Sequence, residues 1–140
     1  MDFLLDTNVI SELRKRSRAD VRVRRWREEI DGDQLFLSVV SVGEIREGIE
    51  GLRPRDPIQA AALDRWLERT LEDFRGRILD VNAVIADRWG RLSPNQPMSA
   101  EDGFIAATAI VYGMTVVTRD THDFVRSGAP LVNPFAEHHE

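Results

Sequence analysis

Short apolar runs recur along the chain, and segments with helical spacing of apolar residues separate them. We predict buried strands at Phe3–Leu5, Leu35–Ser38, Arg77–Asp80, Thr115–Thr118 and Leu131–Val132. We predict helices at 7–13, 19–30, 41–52, 58–74, 83–92 and 99–113, with a turn-rich connection at 93–97. Apolar strands that do not alternate with polar residues are typical of a parallel sheet covered on both faces. The pattern therefore predicts a three-layer α/β/α domain around a central parallel sheet.

The size of the chain predicts one domain. At 140 residues with 42% hydrophobic content, residues 1–140 are expected to form a single domain with one core. The longest mostly apolar run, Ile105 to Val117, is too short to span a bilayer, and the N-terminus lacks the pattern of a secretion signal. We therefore expect a cytoplasmic protein without a membrane segment.

The absence of cysteine limits the chemistry. It excludes disulfides, thiolate nucleophiles and zinc-thiolate sites. The three histidines are His122 and the tail pair His138 and His139. Any bound metal must therefore be held mainly by oxygen, which suits hard ions such as magnesium, manganese or calcium.

The basic residues are concentrated in one segment, although the net charge of the chain is −5. Between positions 14 and 27 a single acid, Asp20, stands among eight basic residues: Arg14, Lys15, Arg16, Arg18, Arg22, Arg24, Arg25 and Arg27. This basic segment carries +7 and the rest of the chain −12. Arginine binds phosphate through paired hydrogen bonds, so the segment is a candidate for contact with the phosphate backbone of a nucleic acid. A solvated helix face, or a docking surface for an acidic partner protein, explains the same charge equally well.

Two aspartates follow predicted strands, at the edge where open parallel sheets bind ligands. Asp6 ends the first strand, and Asp120 follows the strand at 115–118. Asp6 is also placed to cap the next helix, and Thr7 beside it offers a hydroxyl. Asp123 lies one turn after Asp120, and we expect one of these two to be only a cap. We favour Asp120 as the site residue because its position repeats that of Asp6.

Two further acids lie near the starts of predicted helices. Glu44 and Asp102 stand three residues after Ser41 and Ser99, which is the spacing of a capping box. However, Gly48 leaves the helix face one turn beyond Glu44 bare, which makes room for a substrate beside an acid. Small apolar residues follow Asp102 and indicate a deeply packed helix, where an unpaired acid is costly. Capping and metal binding therefore both remain explanations of these acids.

The four acids make a stronger case together than separately. Four carboxylates in one cleft raise each other's pKa values, so such a site is stable at neutral pH chiefly with cations bound. Divalent ions there would activate a water molecule and stabilise a leaving 3′ oxygen. The sequence has no phosphate-binding loop of the GxxxxGK[ST] kind and no credible Ser-His-Asp arrangement. We therefore predict hydrolysis of a phosphodiester by Asp6, Glu44, Asp102 and Asp120.

Five segments resemble, in order and spacing, the motifs of PIN-domain ribonucleases, and they are most similar to those of VapC-type toxins. The segments are LLDTNVISE at 4–12, SVVSVGEIREGI at 38–49, DGFIAATA at 102–109, VTRDTHDF at 117–124 and LVNPF at 131–135. The resemblance covers almost the whole chain. It implies a parallel sheet with helices on both faces, an endoribonuclease activity that depends on magnesium or manganese, and neutralisation by a cognate antitoxin.

The resemblance also implies roles for individual residues. The four acids of the family fall on Asp6, Glu44, Asp102 and Asp120. Thr118 matches a hydroxyl residue near the fourth acid that binds water or metal, and Arg119 is placed to meet phosphate. The family tends to form homodimers in which the antitoxin lies over the active cleft. The basic segment is therefore a candidate for contact with either RNA or antitoxin.

Two other functions stay open. A phosphoryl-transfer domain would use Asp6 as a nucleophile, but Asn8 replaces the second acid expected two residues on. The only lysine, Lys15, is also poorly placed to assist. A non-catalytic binding module would use the acids as helix caps and the basic segment to dock an acidic partner.

Overall fold

A computed structural model describes residues 1–92, 94 and 98–136, and in this part the chain forms a five-stranded sheet and seven α-helices. The strands are β1 (Phe3–Leu5), β2 (Leu35–Ser38), β3 (Ile78–Leu79), β4 (Thr115–Val117) and β5 (Leu131–Val132). The helices are α1 (Thr7–Leu13), α2 (Val21–Glu28), α3 (Val39–Leu52), α4 (Pro57–Asp73), α5 (Ala83–Leu92), α6 (Ala100–Tyr112) and α7 (Thr121–Phe124). The strand order is β3-β2-β1-β4-β5, and all neighbouring strands are parallel. The predicted α/β fold with a central parallel sheet is confirmed.

Separate apolar clusters cover the two faces of the sheet. Leu4 of β1 and Val116 of β4 belong to a cluster with Ile105 of α6. Leu5 and Val117, the next residues on the same strands, belong to a cluster with residues of α1, α2, α3 and α4. Successive strand residues point to opposite faces, so a strand buried on both faces needs apolar residues throughout. This burial explains why apolar and polar residues do not alternate along the strands.

Helix α3 begins earlier than predicted. Its cap is Ser38, at the end of β2, whose hydroxyl accepts a hydrogen bond from the Val40 N–H at 3.1 Å. Ser41 is therefore a buried residue inside the helix. The predicted start at Ser41 is wrong, and so is the capping-box explanation of Glu44.

Short elements fill connections that the sequence analysis left unassigned. They are α7 and the 3-10 helices at Arg16–Arg18, Gly32–Gln34 and Val125–Ser127. Helix α2 begins two residues later than predicted because Asp20 caps it, accepting the Arg22 N–H at 2.8 Å. The predicted turn at 93–97, apart from Pro94, and the tail pair His138 and His139 lie outside the described residues. Among the helices of the described part, none is long and apolar enough to cross a membrane.

Candidate active site

The carboxyl ends of β1 and β4 lie where the chain changes direction across the sheet. From β1 the chain continues to β2 and β3 on one side, while β4 and β5 lie on the other side. Open parallel sheets bind ligands outside a switch point of this kind. Asp6 directly follows β1, and Thr118 directly follows β4. The sheet therefore brings these two polar side chains to the position where a ligand site is expected.

Asp6 is the most buried of the predicted acids, with 5% of its surface exposed. Its carboxylate accepts hydrogen bonds from the Thr7 N–H and from the Thr118 hydroxyl, each at 2.8 Å. Burial raises the pKa of Asp6 and the charge of Asp120 raises it further, while the bonds from Thr118 and Thr7 oppose the rise. A helix cap usually accepts from the second or third N–H of its helix, whereas Asp6 accepts from the first. Capping alone therefore does not explain this buried acid.

Asn8 connects Asp6 to Asp120. Its amide nitrogen donates to Asp120 Oδ2 at 3.0 Å and lies 3.3 Å from Asp6 Oδ2. Its amide oxygen accepts from the Arg119 N–H at 3.3 Å. A side-chain amide supplies donors and an acceptor together, so Asn8 holds both acids and the loop after β4. The sequence predicts local backbone contacts for Asn8 and not this one, because Asp120 lies 112 residues away.

Glu44 is held by a residue of α1. Thr7 Oγ1 lies 2.8 Å from Glu44 Oε1 and 3.0 Å from Ser41 Oγ. Partial burial raises the pKa of Glu44, the Thr7 hydrogen bond opposes the rise, and nearby acids, chiefly Asp6, add to it. At Gly48, one turn further along α3, a Cβ would have no heavy atom within 4 Å apart from its chain neighbours and the backbone of its own helix. Glu44 thus adjoins Asp6 beside an open stretch of helix.

Asp102 is partly buried in the first turn of α6. Its N–H donates to the Ser99 hydroxyl at 3.1 Å, which is the backbone half of the predicted capping box. Within the described part of the chain, its carboxylate has no hydrogen-bond donor or cationic partner. Burial, followed by the charges of Asp6, Asp123 and Glu44, raises its pKa to about 6. A carboxylate in this position is destabilised when it is charged, and a bound cation would stabilise it.

Asp120 and Asp123 both lie close enough to Asp102 for their charges to raise its pKa. Asp120 binds Asn8, its N–H donates to the Thr118 hydroxyl at 2.9 Å, and its side chain makes no capping bond to α7. Asp123, in the first turn of α7, raises the pKa of Asp102 more than Asp120 does. Asp120 is therefore connected to Asp6 through Asn8, whereas Asp123 interacts with Asp102 through its charge. The choice of the fourth acid between them stays a prediction.

The oxygen donors fit a hard cation that is held partly by water. Among the described residues, no three acidic or histidine side chains are grouped closely enough to hold a metal ion. Magnesium usually keeps several water ligands and takes only one or two carboxylates from the protein. Asp6 and Asp102 are close enough for their charges to interact, and Asp102 lacks another partner. These two side chains are the ones that would hold such an ion.

The raised pKa of Asp102 makes stability depend on pH. Its folded value of about 6 lies above the ordinary 3.8, so the folded state binds the proton more tightly than the unfolded state. Between these two values the Asp102 contribution to the free energy of unfolding should fall as the pH rises. Paired acids such as Asp64, whose pKa is lowered, act in the opposite direction. The quantity to measure is therefore the difference between wild type and Asp102→Asn.

Urea denaturation in EDTA at several pH values from about 4 to about 7.5 measures this difference. We expect the variant to gain stability relative to wild type as the pH rises. A difference that stays constant over this range would show that Asp102 titrates as an ordinary carboxylate.

Known proteins are similar to this chain in sequence and in architecture. The family model of the PIN domain matches residues 3–128 of the chain. The chain belongs to the PIN domain family. The VapC ribonuclease Y4jK of Sinorhizobium fredii is 34% identical over 94% of this chain and 96% of its own. The toxin FitB of Neisseria gonorrhoeae is 33% identical over 94% of this chain and 97% of its own. The crystal structure of FitAcB from Neisseria gonorrhoeae has a TM-score of 0.85 at 34% identity, covering 95% of this chain and 98% of that chain.

In this PIN domain the basic segment is separated from the acids. Helix α1 begins beside the acids, and Arg14 follows its other end, about 12 Å from Asp6 along the helix axis. Two basic side chains of the segment already form ion pairs: Lys15 with Glu12 at 3.0 Å and Arg22 with Asp20 at 2.7 Å. Arg119, by contrast, lies in the loop after β4, where its guanidinium is 4.9 Å from the ring of Phe135. Among the predicted basic contacts, Arg119 directly precedes Asp120, and its N–H donates to Asn8, which also binds Asp120.

Proposed function

We propose that this PIN domain, residues 1–140, is a metal-dependent endoribonuclease and the toxin of a type II toxin-antitoxin pair. The observation that carries the proposal is the gathering of acids around the switch point of the sheet, where like charges help to raise the pKa of Asp102 to about 6. The two relatives that are named as a ribonuclease and as a toxin support the same activity.

Each acid has a proposed role. Asp6 and Asp102 would hold one or two magnesium or manganese ions, and Glu44 and either Asp120 or Asp123 would complete the set of acids around them. When bound, the metal neutralises the acids, lowers the pKa of a water molecule and stabilises the leaving 3′ oxygen. Glu44, whose pKa is raised, is suited to orient the attacking water and to receive its proton at a carboxylate oxygen.

The neutral residues of the site position these acids. Thr7 keeps Glu44 beside Asp6, and Thr118 orients the buried carboxylate of Asp6. Asn8 holds Asp120 against the same end of the sheet. The donors of these hydrogen bonds are neutral side chains, so the negative charge of the acids stays available to a cation. Arg119, exposed on the adjacent loop, is placed to contact the phosphate of the substrate.

The experiment that tests this function is incubation of cellular RNA with the purified chain in manganese and in EDTA. We expect discrete RNA fragments in manganese and none in EDTA. Equal cleavage under both conditions would contradict the metal-dependent mechanism. A phosphorylated Asp6, if it can be trapped, would instead favour the phosphoryl-transfer function.

Metal binding should also be visible as stabilisation. Manganese or magnesium binds only the folded site, so saturating metal should raise the melting temperature. At a concentration of 100 times the dissociation constant the gain is about 2.7 kcal/mol. We expect this gain in wild type and its loss in Asp6→Asn and Asp102→Asn, measured by thermal denaturation with and without metal. A melting temperature that does not respond in wild type would favour a non-catalytic binding module.

The proposed partners follow from the toxin assignment. They are an RNA substrate, a cognate antitoxin that covers the active cleft, and a second copy of this chain in a homodimer. The FitB relative is named as a toxin. The resemblance to VapC-type toxins implies that an antitoxin is a partner of this chain. The basic segment remains a candidate surface for either RNA or antitoxin.

A further inference from the structure

A cavity of about 390 Å³ lies between α1, α2 and α4. Its floor includes Leu5 of β1 and Leu35 of β2, and none of the acids proposed for catalysis is among its lining residues. Its volume lies within the range of small-molecule sites in proteins. The cavity is thus a second concave site, formed by residues other than those of the candidate active site.

Arginines dominate the charge of this cavity. Only one acid, Asp73, accompanies the four lining arginines Arg14, Arg16, Arg27 and Arg77. Three belong to the basic segment, and Arg77 comes from the chain just before β3. In the described part of the chain none of the four forms an ion pair. Four arginines that line one cavity without carboxylate partners are suited to bind an anion.

The backbone holds two of these arginines in place. Arg77 donates to the carbonyl oxygens of Gly32, Leu35 and Asp73 at 2.8, 2.6 and 2.7 Å. Arg27 donates to the carbonyl oxygen of Ile30 at 3.0 Å. Carbonyl oxygens orient a guanidinium but do not neutralise its positive charge. The cavity wall therefore carries fixed positive charge before any ligand arrives.

Arg16 adds an independent sign of a binding site. Its φ of 53° makes it the one non-glycine residue with positive φ in the described part of the chain. A bulky residue in this conformation costs free energy, and such strained residues concentrate at ligand sites. This strained residue is exposed and lines the cavity.

Aromatic rings complete the lining. Trp66 and Phe74 both face the cavity. The guanidinium carbon of Arg14 is 6.0 Å from the ring centre of Trp66, and that of Arg77 is 4.7 Å from the ring centre of Phe74. Arginine and aromatic side chains together bind nucleotides, because one contacts the phosphate and the other the face of the base.

We propose that this cavity binds a nucleoside phosphate, with the phosphate among the arginines and the base against Trp66. The ligand is a free nucleotide or one nucleotide of an RNA strand, since both offer the same chemistry. An acidic peptide matches the charge of the cavity but makes less use of its aromatic wall. The proposal does not rest on the nuclease function, because a binding measurement tests it without any cleavage.

The experiment measures binding of adenosine 5′-monophosphate to the full chain by calorimetry and by tryptophan fluorescence. The test variant is R14A/R16A, which spares Arg27 and Arg77 because these hold the backbone. The matched control is R55A/R88A, which removes two exposed arginines from other surfaces. We expect the test variant to weaken binding about tenfold or more, since each charge-assisted hydrogen bond contributes roughly a factor of ten. The control should stay within about twofold of wild type.

Further ligands separate the possible sources. A short RNA is added to the Asp102→Asn chain and to the same chain with R14A/R16A, so that binding is measured without cleavage. Weaker binding of either the mononucleotide or the RNA by R14A/R16A supports the proposal. The ligand whose binding weakens shows whether the cavity takes a free nucleotide or a nucleotide of an RNA strand. The proposal is overturned if R14A/R16A weakens neither ligand. It is also overturned if the double variant loses only the binding of a glutamate-rich peptide.

Discussion

Replacing Asp102 with asparagine is expected to stop RNA cleavage and, in the same protein, to stabilise the metal-free fold. Asparagine keeps the shape of the side chain, and the Ser99 cap contacts only the backbone N–H of this residue. The fold should therefore persist while the charge that would hold a cation is lost. Substitution of residues that merely support metal ligands lowers activity about 10- to 100-fold, so loss of a direct ligand should lower kcat/KM at least about 100-fold.

The stability of the same variant follows from electrostatics. Burial and the surrounding acids raise the pKa of Asp102 to about 6, so its charged form opposes folding at neutral pH. With a discount for solvent screening, removal of the charge should add about 1 kcal/mol to the free energy of unfolding in EDTA. Initial cleavage rates in manganese and urea denaturation in EDTA measure the two effects. Asp33→Asn, at an exposed residue before β2, is the matched control for both.

A loss of activity together with a gain of stability distinguishes a functional acid from a structural one. A helix cap would show the opposite stability effect, since its removal costs about 1 kcal/mol. Wild-type cleavage by Asp102→Asn, or a fall in its stability in EDTA, would therefore refute the assignment of Asp102 to the metal site.

The second large effect concerns the packing of α6 against α5. Substituting valine for Gly103 should lower the free energy of unfolding by about 3 kcal/mol, the upper part of the usual range for overpacking. A Cβ at this position would lie 2.7 and 2.8 Å from two indole atoms of Trp89. That ring is stacked on Phe104, with ring centres 4.7 Å apart, so it cannot move without breaking the stack. Gly103→Ala should lower the free energy of unfolding less than Gly103→Val does, because the higher helix propensity of alanine compensates about 1 kcal/mol of the loss.

Gly90 of α5 is the matched control for this substitution. A Cβ there would have no heavy atom within 4 Å apart from its chain neighbours and the backbone of its own helix. Gly90→Ala should therefore stabilise the protein by about 0.5–1 kcal/mol through helix propensity alone. Urea denaturation of the two variants and of wild type measures both changes in the free energy of unfolding, the expected loss and the expected gain. Wild-type stability of Gly103→Val would mean that α5 and α6 are not packed as described.

Much of the fold was predictable because burial on both faces leaves a clear trace in the sequence. The runs around Leu4 and Val116 are apolar throughout, and the structure places them at the centre of the sheet. The start of α3 was not predictable, because Ser38 and Ser41 are equally good caps by residue type. Ser38 is the cap, and Ser41 is buried inside the helix, where Thr7 of α1 contacts its hydroxyl at 3.0 Å. That contact joins residues that are distant in the sequence.

The candidate site, like the fold, was only partly predictable from the sequence. Asp6 and Asp120 could be named as candidates because they follow strands, and Asp102 because it begins an apolar helix, although each of them alone could also be a helix cap. The partners that orient them were harder to predict. Asn8 binds Asp120, 112 residues away, and nothing local to Asn8 indicates that contact. The arginine-lined cavity was missed for a similar reason, because Arg77 lies outside the basic segment and joins it only in the folded chain.

The most direct test of the proposed mechanism is the chemistry of the RNA ends after cleavage. Hydrolysis by an activated water with the 3′ oxygen as the leaving group produces a 3′ hydroxyl and a 5′ phosphate. Sequencing of the ends from cellular RNA treated with the purified chain in manganese should find these termini at discrete positions. They should be absent in EDTA and absent with Asp102→Asn. Fragments that end in a 2′,3′-cyclic phosphate would show that a 2′ hydroxyl is the nucleophile, and would contradict water attack at the carboxylate site.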